Sequence, residues 1–266
     1  MANAEFQPRW YFDVASTGRL RDFLLALSFI FKAKAMKAII PVKDCSTRVP
    51  NKNFKDFYNG HSLFDLTVQK LLRSIDPADI YMSCENASRK LLADQWGINF
   101  VTRDPILADN DTPFYDVFNG VCDQIPGEDD IAWCQVIDPM FDSYKECFDI
   151  WNNGYEVLEG GAYCKKSIKN KHDSLVVTYP HKDYFLNSSH QPEGFGFGRW
   201  HKKSQSLPIK YQLTFTLSIL TRASIKSCGY YVGAKPYWYH AKNRHVDIDT
   251  EADFALAQYV YAHTQD

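Results

Sequence analysis

Between residues 36 and 153 short apolar runs alternate with segments of helical spacing, and this alternation constrains the fold more than any other feature. Residues 36–42 (MKAIIPV) are apolar and β-branched, as a buried parallel strand requires. In residues 62–75 the apolar side chains Leu63, Leu66, Val68, Leu71 and Leu72 recur at helical spacing. A strand is expected over 79–83, a helix over 87–97 stopping on Gly97, and a strand over 98–102. A helix over 114–125, a strand over 130–137 and a helix over 143–153, closed by Gly154, complete the series. The pattern predicts an α/β fold with a Rossmann-like, mostly parallel sheet covered on both faces. Such sheets bind ligands beyond the carboxyl ends of their strands, so the loop after Val42 is where a nucleotide is expected.

After residue 155 the rhythm changes. Residues 173–179 and 211–219 read as strands. The Ser-, His-, Gly-, Asn- and Gln-rich stretch 186–207 reads as a long loop or irregular arm. Residues 246–253 (VDIDTEAD) are expected to end a strand and open the last helix, with Thr250 as cap and Asp253 three residues on. The apolar run 23–31 (FLLALSFIF) is bounded by Arg21 and Lys32. It is shorter than the roughly 20 residues that span a bilayer, so residues 1–35 read as an N-terminal helical extension with no stable membrane insertion. Residues 36–266 then form the main domain.

A formal charge of -2 gives no broad attraction to nucleic acid or acidic lipid, so any anion must be gripped locally. Aromatic residues at 15% point to a thick aromatic core. The seven cysteines are odd in number and form no CxxC pair, which argues against a zinc cluster and fits a reducing cytoplasm.

The loop after Val42 carries three cations (Lys43, Arg48, Lys52) and three short polar side chains (Ser46, Thr47, Asn53) within eleven residues. Directly after a buried strand, such a loop aims N–H and ammonium groups at a polyphosphate. It is not a Walker A loop, which requires two glycines ahead of its lysine. Asp247 and Asp249 alternate along a segment expected to be extended, which puts both carboxylates on one face. Two such carboxylates suit Mg2+, which takes the rest of its shell from water and phosphate.

The segment MKAIIPVKDCSTRVPNKNFKDF resembles the opening of the acylneuraminate cytidylyltransferase family, whose pattern is close to AR-x-x-S-K-R-x-x-x-K-N. Further similarities follow in chain order. Residues 83–86 (SCEN) stand in the place of S-T-D, and 103–112 (RDPILADNDT) resemble R-P-x-x-L-A-x-D-x. Residues 133–140 (WCQVIDPM) resemble L-Q-P-T-S-P-L, and 246–253 the closing D-I-D-T-x-x-D. The resemblance implies a cytoplasmic, homodimeric nucleotidyltransferase that transfers CMP from CTP to an acidic sugar, such as a sialic acid-like nonulosonic acid, and releases pyrophosphate. It implies Lys43, Ser46, Thr47, Arg48, Lys52 and Asn53 on the triphosphate, with Lys52 also catalytic. It places Ser83, Arg103 and Gln135 around the nucleotide or sugar, and Mg2+ on the catalytic pair Asp247 and Asp249. Residues 155–207 would form a dimerisation and sugar-binding insertion.

Two departures matter. The family's glycine pair in the first loop is replaced by Asp44 and Cys45, which sets a negative charge beside an anionic ligand. Ser204 and Gln212 stand where the family has sugar-site arginines; Lys202, Lys203 or Lys210 are the nearest substitutes, without an arginine's bidentate fork. These departures motivate rival readings: a catalytically silent homologue that binds a nucleotide or serves as an interaction subunit, or a nucleotidyltransferase with a different acceptor.

Overall fold

The computed structural model describes residues 36–44, 46, 48–159, 162–169, 171–242 and 245–264. The expected extension 1–35 lies outside the described residues, as do Cys45 and Thr47. Residues 36–266 cluster as one compact unit.

The run MKAIIP becomes β1 (Met36–Pro41), near the middle of a seven-stranded sheet. Its neighbours are β4 (Ile80–Cys84) and β6 (Asp130–Cys134), both parallel to it. Beyond β4 lies β5 (Asn99–Thr102), also parallel. Beyond β6 comes β10 (Lys210–Leu220), the antiparallel member. Then follow β9 (Ser174–His181) and, parallel to β9, the edge strand β11 (Pro236–His240). The expected α/β fold with a mostly parallel sheet is what forms. Two small antiparallel pairs stand apart: β2 (Asp56–Tyr58) with β3 (His61–Ser62), and β7 (Tyr155–Glu159) with β8 (Ala162–Lys166).

The period-2 alternation of the strands feeds two cores. Ala38, Ile40, Ile80, Met82, Ala132 and Cys134 face one layer, and Ile39, Tyr81, Ile131 and Trp133 face the other. The first layer is closed by α1 (Leu63–Leu72), α2 (Lys90–Trp96), α4 (Tyr144–Asn153) and α6 (Glu251–Ala262). The second is closed by α3 (Phe114–Asp123) and α5 (Arg222–Cys228). The expected aromatic core is real: Phe118, Trp133 and Tyr231 pack together in one layer, and Phe57, Phe254 and Tyr261 in the other.

Three expectations are adjusted. β6 stops at Cys134 and does not run on to residue 137, although the Gln135 N–H still donates to the Thr216 carbonyl of the neighbouring β10 at 3.1 Å. Residues 245–249 join no strand, yet their burial alternates: Val246 and Ile248 are buried, Asp247 is exposed and Asp249 half-buried. Residues 155–207 are not one insertion, since β9 within them belongs to the main sheet. Residues 182–207 are the irregular part, crossed by a bridge between Leu186 and Pro192.

Candidate nucleotide site

Four parallel strands end on the same edge of the sheet, and each delivers polar side chains just beyond its carboxyl end. After β1 come Lys43 to Asn53, after β4 Glu85 and Asn86, after β5 Arg103, and after β6 Gln135. A cavity of about 290 Å³ opens there, lined by Pro41, Lys43, Ser46, Arg48, Lys52, Asn53, Asn110, Gln135, Val136 and Ile137. Six residues singled out in the sequence therefore meet in one place. A larger cavity, of about 960 Å³, runs along α1 and α4. It carries none of the strand-end residues, and its cations are matched by Asp142, Glu146 and Asp149, so the smaller cavity is the better candidate.

The loop is held from several directions. Asn53 donates its side-chain N–H to the Lys43 carbonyl at 2.9 Å and closes the loop's two limbs. Asn51 sits between them with φ of 53°, a left-handed conformation that asparagine tolerates better than most residues. Lys43 Nζ donates to Asn110 Oδ1 at 2.9 Å. Burial, and then the charge of Arg103, push the Lys43 pKa below its ordinary value. Lys52 Nζ donates to the Ile248 carbonyl at 2.7 Å. Burial lowers its pKa too, against the opposing pull of Asp249 and Asp247. Both lysines are thus cations that an anionic ligand would recompense.

The aspartate segment docks on this loop. Arg48 Nη1 lies 2.7 Å from Asp249 Oδ1, and Lys52 reaches the carbonyl between the two aspartates. Their carboxylates stand outward while Val246 and Ile248 anchor the backbone in the core. Among the described residues no group of three or more His, Cys, Asp or Glu forms a ready-made metal cage. The Arg48–Asp249 pair is half exposed, so exchanging it for a ligand costs little.

Other expected residues are placed differently. Arg103 is buried and does not line the cavity; its Nη2 donates to the Val42 carbonyl at 2.6 Å and to Glu85 Oε2 at 2.8 Å. Ser83 is fully buried, and its hydroxyl finds no hydrogen-bond partner. Glu85 also accepts from the Asp44 N–H at 2.7 Å. Burial opposes its ionisation, but the Arg103 hydrogen bond and backbone donors outweigh that and keep its carboxyl below the usual range. Gln135 lines the cavity and donates to the Tyr231 hydroxyl at 2.9 Å, with Tyr231 stacked on Phe114 at 3.9 Å.

On the acceptor side, Gln212 pairs with His181 at 2.7 Å, and Lys210 forms an ion pair with Glu193. Neither lines the cavity. Asn110, an uncharged residue inside the RDPILADNDT segment with no local pattern to single it out, also lines the cavity.

Comparison with known proteins bears on the fold and on the first part of the chain. Residues 37–132 match the model of the cytidylyltransferase family, a stretch that carries the cationic loop but ends before Gln135 and the closing aspartates. No curated protein matches the chain. Among solved structures, a CMP:2-keto-3-deoxy-manno-octonic acid synthetase complexed with CTP is similar, with a TM-score of 0.57 and 9% identity over 86% of this chain and 99% of that one. A 4-diphosphocytidyl-2C-methyl-D-erythritol synthase from Anaerococcus prevotii aligns with a TM-score of 0.54 and 13% identity, over 90% of this chain and 99% of that one. At these identities the likeness establishes the fold.

Proposed function

We propose that this chain is a magnesium-dependent cytidylyltransferase that moves CMP from CTP to a hydroxyl of an acidic sugar of the nonulosonic type. One observation carries the reading: the cationic loop, Gln135 and the Asp247–Asp249 segment converge at the carboxyl edge of the parallel sheet. The match of residues 37–132 and the two cytidylyl enzymes that share the fold support it. The choice of an acidic sugar rests on the order of the sequence motifs.

In the proposed reaction the acceptor oxygen attacks the α-phosphorus, the bond to the β-phosphate oxygen breaks, and pyrophosphate leaves. Lys43, Arg48 and Lys52 offset the charge that builds on that leaving group. Arg48 turns from Asp249 to the triphosphate, which frees the Asp249 carboxylate. Mg2+ held by Asp247 and Asp249 would screen the triphosphate and lower the pKa of the attacking hydroxyl. Asn53 and Asn110 keep the loop and Lys43 in register without taking part in bond making.

Calorimetry with CTP and Mg2+, followed by a pyrophosphate-release assay across acidic sugars, tests the reading. Saturable binding with sugar-dependent release is expected. The altered first loop and the absence of arginine at 204 and 212 keep the rival of a silent binding homologue open. CTP binding without release for any acceptor would decide for that rival.

A further inference from the structure

Where the resembled loop has glycine, this chain has Asp44, a negative charge next to Lys43 and two residues before Ser46. The charge is not left facing the cavity. Arg89, from the short helical turn after β4, donates its Nε to Asp44 Oδ1. Asn86 donates to Asp44 Oδ2 at 2.8 Å. Burial works against the ionised form, but these hydrogen bonds and the Arg89 charge more than offset it and hold the Asp44 carboxyl below its usual range. The same guanidinium reaches the far limb of the loop. Its Nη2 lies 3.3 Å from Asn51 Oδ1, and its plane sits 4.1 Å from the ring centre of Phe54.

We propose that Arg89 is a positioning residue for polyphosphate recognition: it buckles the two limbs of the cationic loop together and cancels the Asp44 charge, so that a loop without its glycines still accepts an anion. This inference rests on the nucleotide reading above. Arg89 does not line the cavity and acts only through Asp44, Asn51 and Phe54. Without it, the Asp44 charge beside Lys43 keeps only the Asn86 hydrogen bond, and of the loop's cross-ties only that from Asn53 to the Lys43 carbonyl remains.

The test is a double-mutant cycle read by calorimetry with two probes, inorganic tripolyphosphate and CTP, each with Mg2+. Arg89→Ala is expected to weaken both by about tenfold, as one unscreened charge at short range would. Asp44→Asn alone is expected to bind no more weakly than the wild type. The pair Arg89→Ala with Asp44→Asn should recover most of the loss, whereas a merely structural arginine would show no such relief. Arg89→Lys should fall between, since it restores charge without the reach to Asn51. Undiminished binding by Arg89→Ala, or a loss that Asp44→Asn fails to relieve, overturns the inference and leaves the nucleotide reading standing. Tripolyphosphate binding without CTP binding in the wild type removes the cytidine assignment while the cycle still tests Arg89. Failure of the wild type to bind either probe overturns both.

Discussion

At the scale of single residues, Asp249 separates function from stability most cleanly. Its carboxylate is half exposed and meets Arg48, also exposed, at 2.7 Å. Exposed pairs of this kind contribute about 1 kcal/mol at most. If Asp249 holds Mg2+ as proposed, Asp249→Asn should keep the wild-type circular dichroism and melting temperature while pyrophosphate release falls by about a hundredfold or more. Release at the wild-type rate would remove Asp249 from the proposed Mg2+ site. The same scale shows what a sequence can reveal. Lys43, Ser46, Arg48, Lys52, Asn53 and Gln135 were legible as neighbours because they lie in the segments that follow β1 and β6, whose carboxyl ends share one edge of the sheet. Arg103 and Ser83 follow or end strands as well, yet one is captured by Glu85 and Val42 and the other faces the interior. Which way a strand-end side chain turns depends on the phase of the pleat and on partners more than 15 residues away, as with Glu85 and Arg103. Local spacing carries neither.

At the scale of elements, the start of α6 links stability to the site. Thr250 Oγ1 accepts from the Asp253 N–H at 3.2 Å, and Asp253 Oδ2 accepts from the Thr250 and Asp249 N–H groups at 2.8 and 3.2 Å. This capping box fixes the residue that follows the aspartate pair. Thr250→Ala should cost about 1 kcal/mol, a fall of roughly 2–4 °C in melting temperature for a chain of this size. An unchanged melting temperature would show that the cap is redundant. The cap was legible in the sequence because it is a four-residue pattern.

The role of Lys70 was not legible, since its partners lie in another part of the chain. It is buried in the last turns of α1 and donates to the Pro139 and Phe141 carbonyls. Burial pushes its pKa down from 10.5 to about 8. A lysine lowered in this way binds fewer protons folded than unfolded between those two values, so its contribution to stability grows as pH rises through that window and is lost as pH falls through about 8. Replacing it with methionine removes that titration. The melting-temperature advantage of the wild type over Lys70→Met should therefore be larger at about pH 9.5 than at about pH 7. A difference that shrinks with pH would contradict the assignment.

At the scale of the whole molecule, the main sheet accounts for the core but not for the surface between β9 and β10. There Trp200 is 75% exposed and Phe197 62% exposed, with Ile209 and Tyr211 following at the start of β10. Single exposed apolar residues are ordinary, but large aromatic ones gathered in one irregular arm usually meet a partner. Tyr184 stacks on His201 within the arm and Phe195 packs edge-on against Tyr184, but Tyr184 and His201 stay exposed, so the arm presents these rings outward with Phe197 and Trp200. A second copy of the chain is the partner proposed, because a two-fold pair lets the same patch cover itself. Among the described residues no helix is long and apolar enough to cross a membrane. Sedimentation at micromolar concentration should then give a mass near twice 30.7 kDa. Trp200→Asp together with Phe197→Ser should shift the protein to the single-chain mass without changing its melting profile in dilute solution, because neither side chain is part of the main core. A wild-type protein that sediments as one chain at every concentration would mean that these aromatic rings serve something other than self-association.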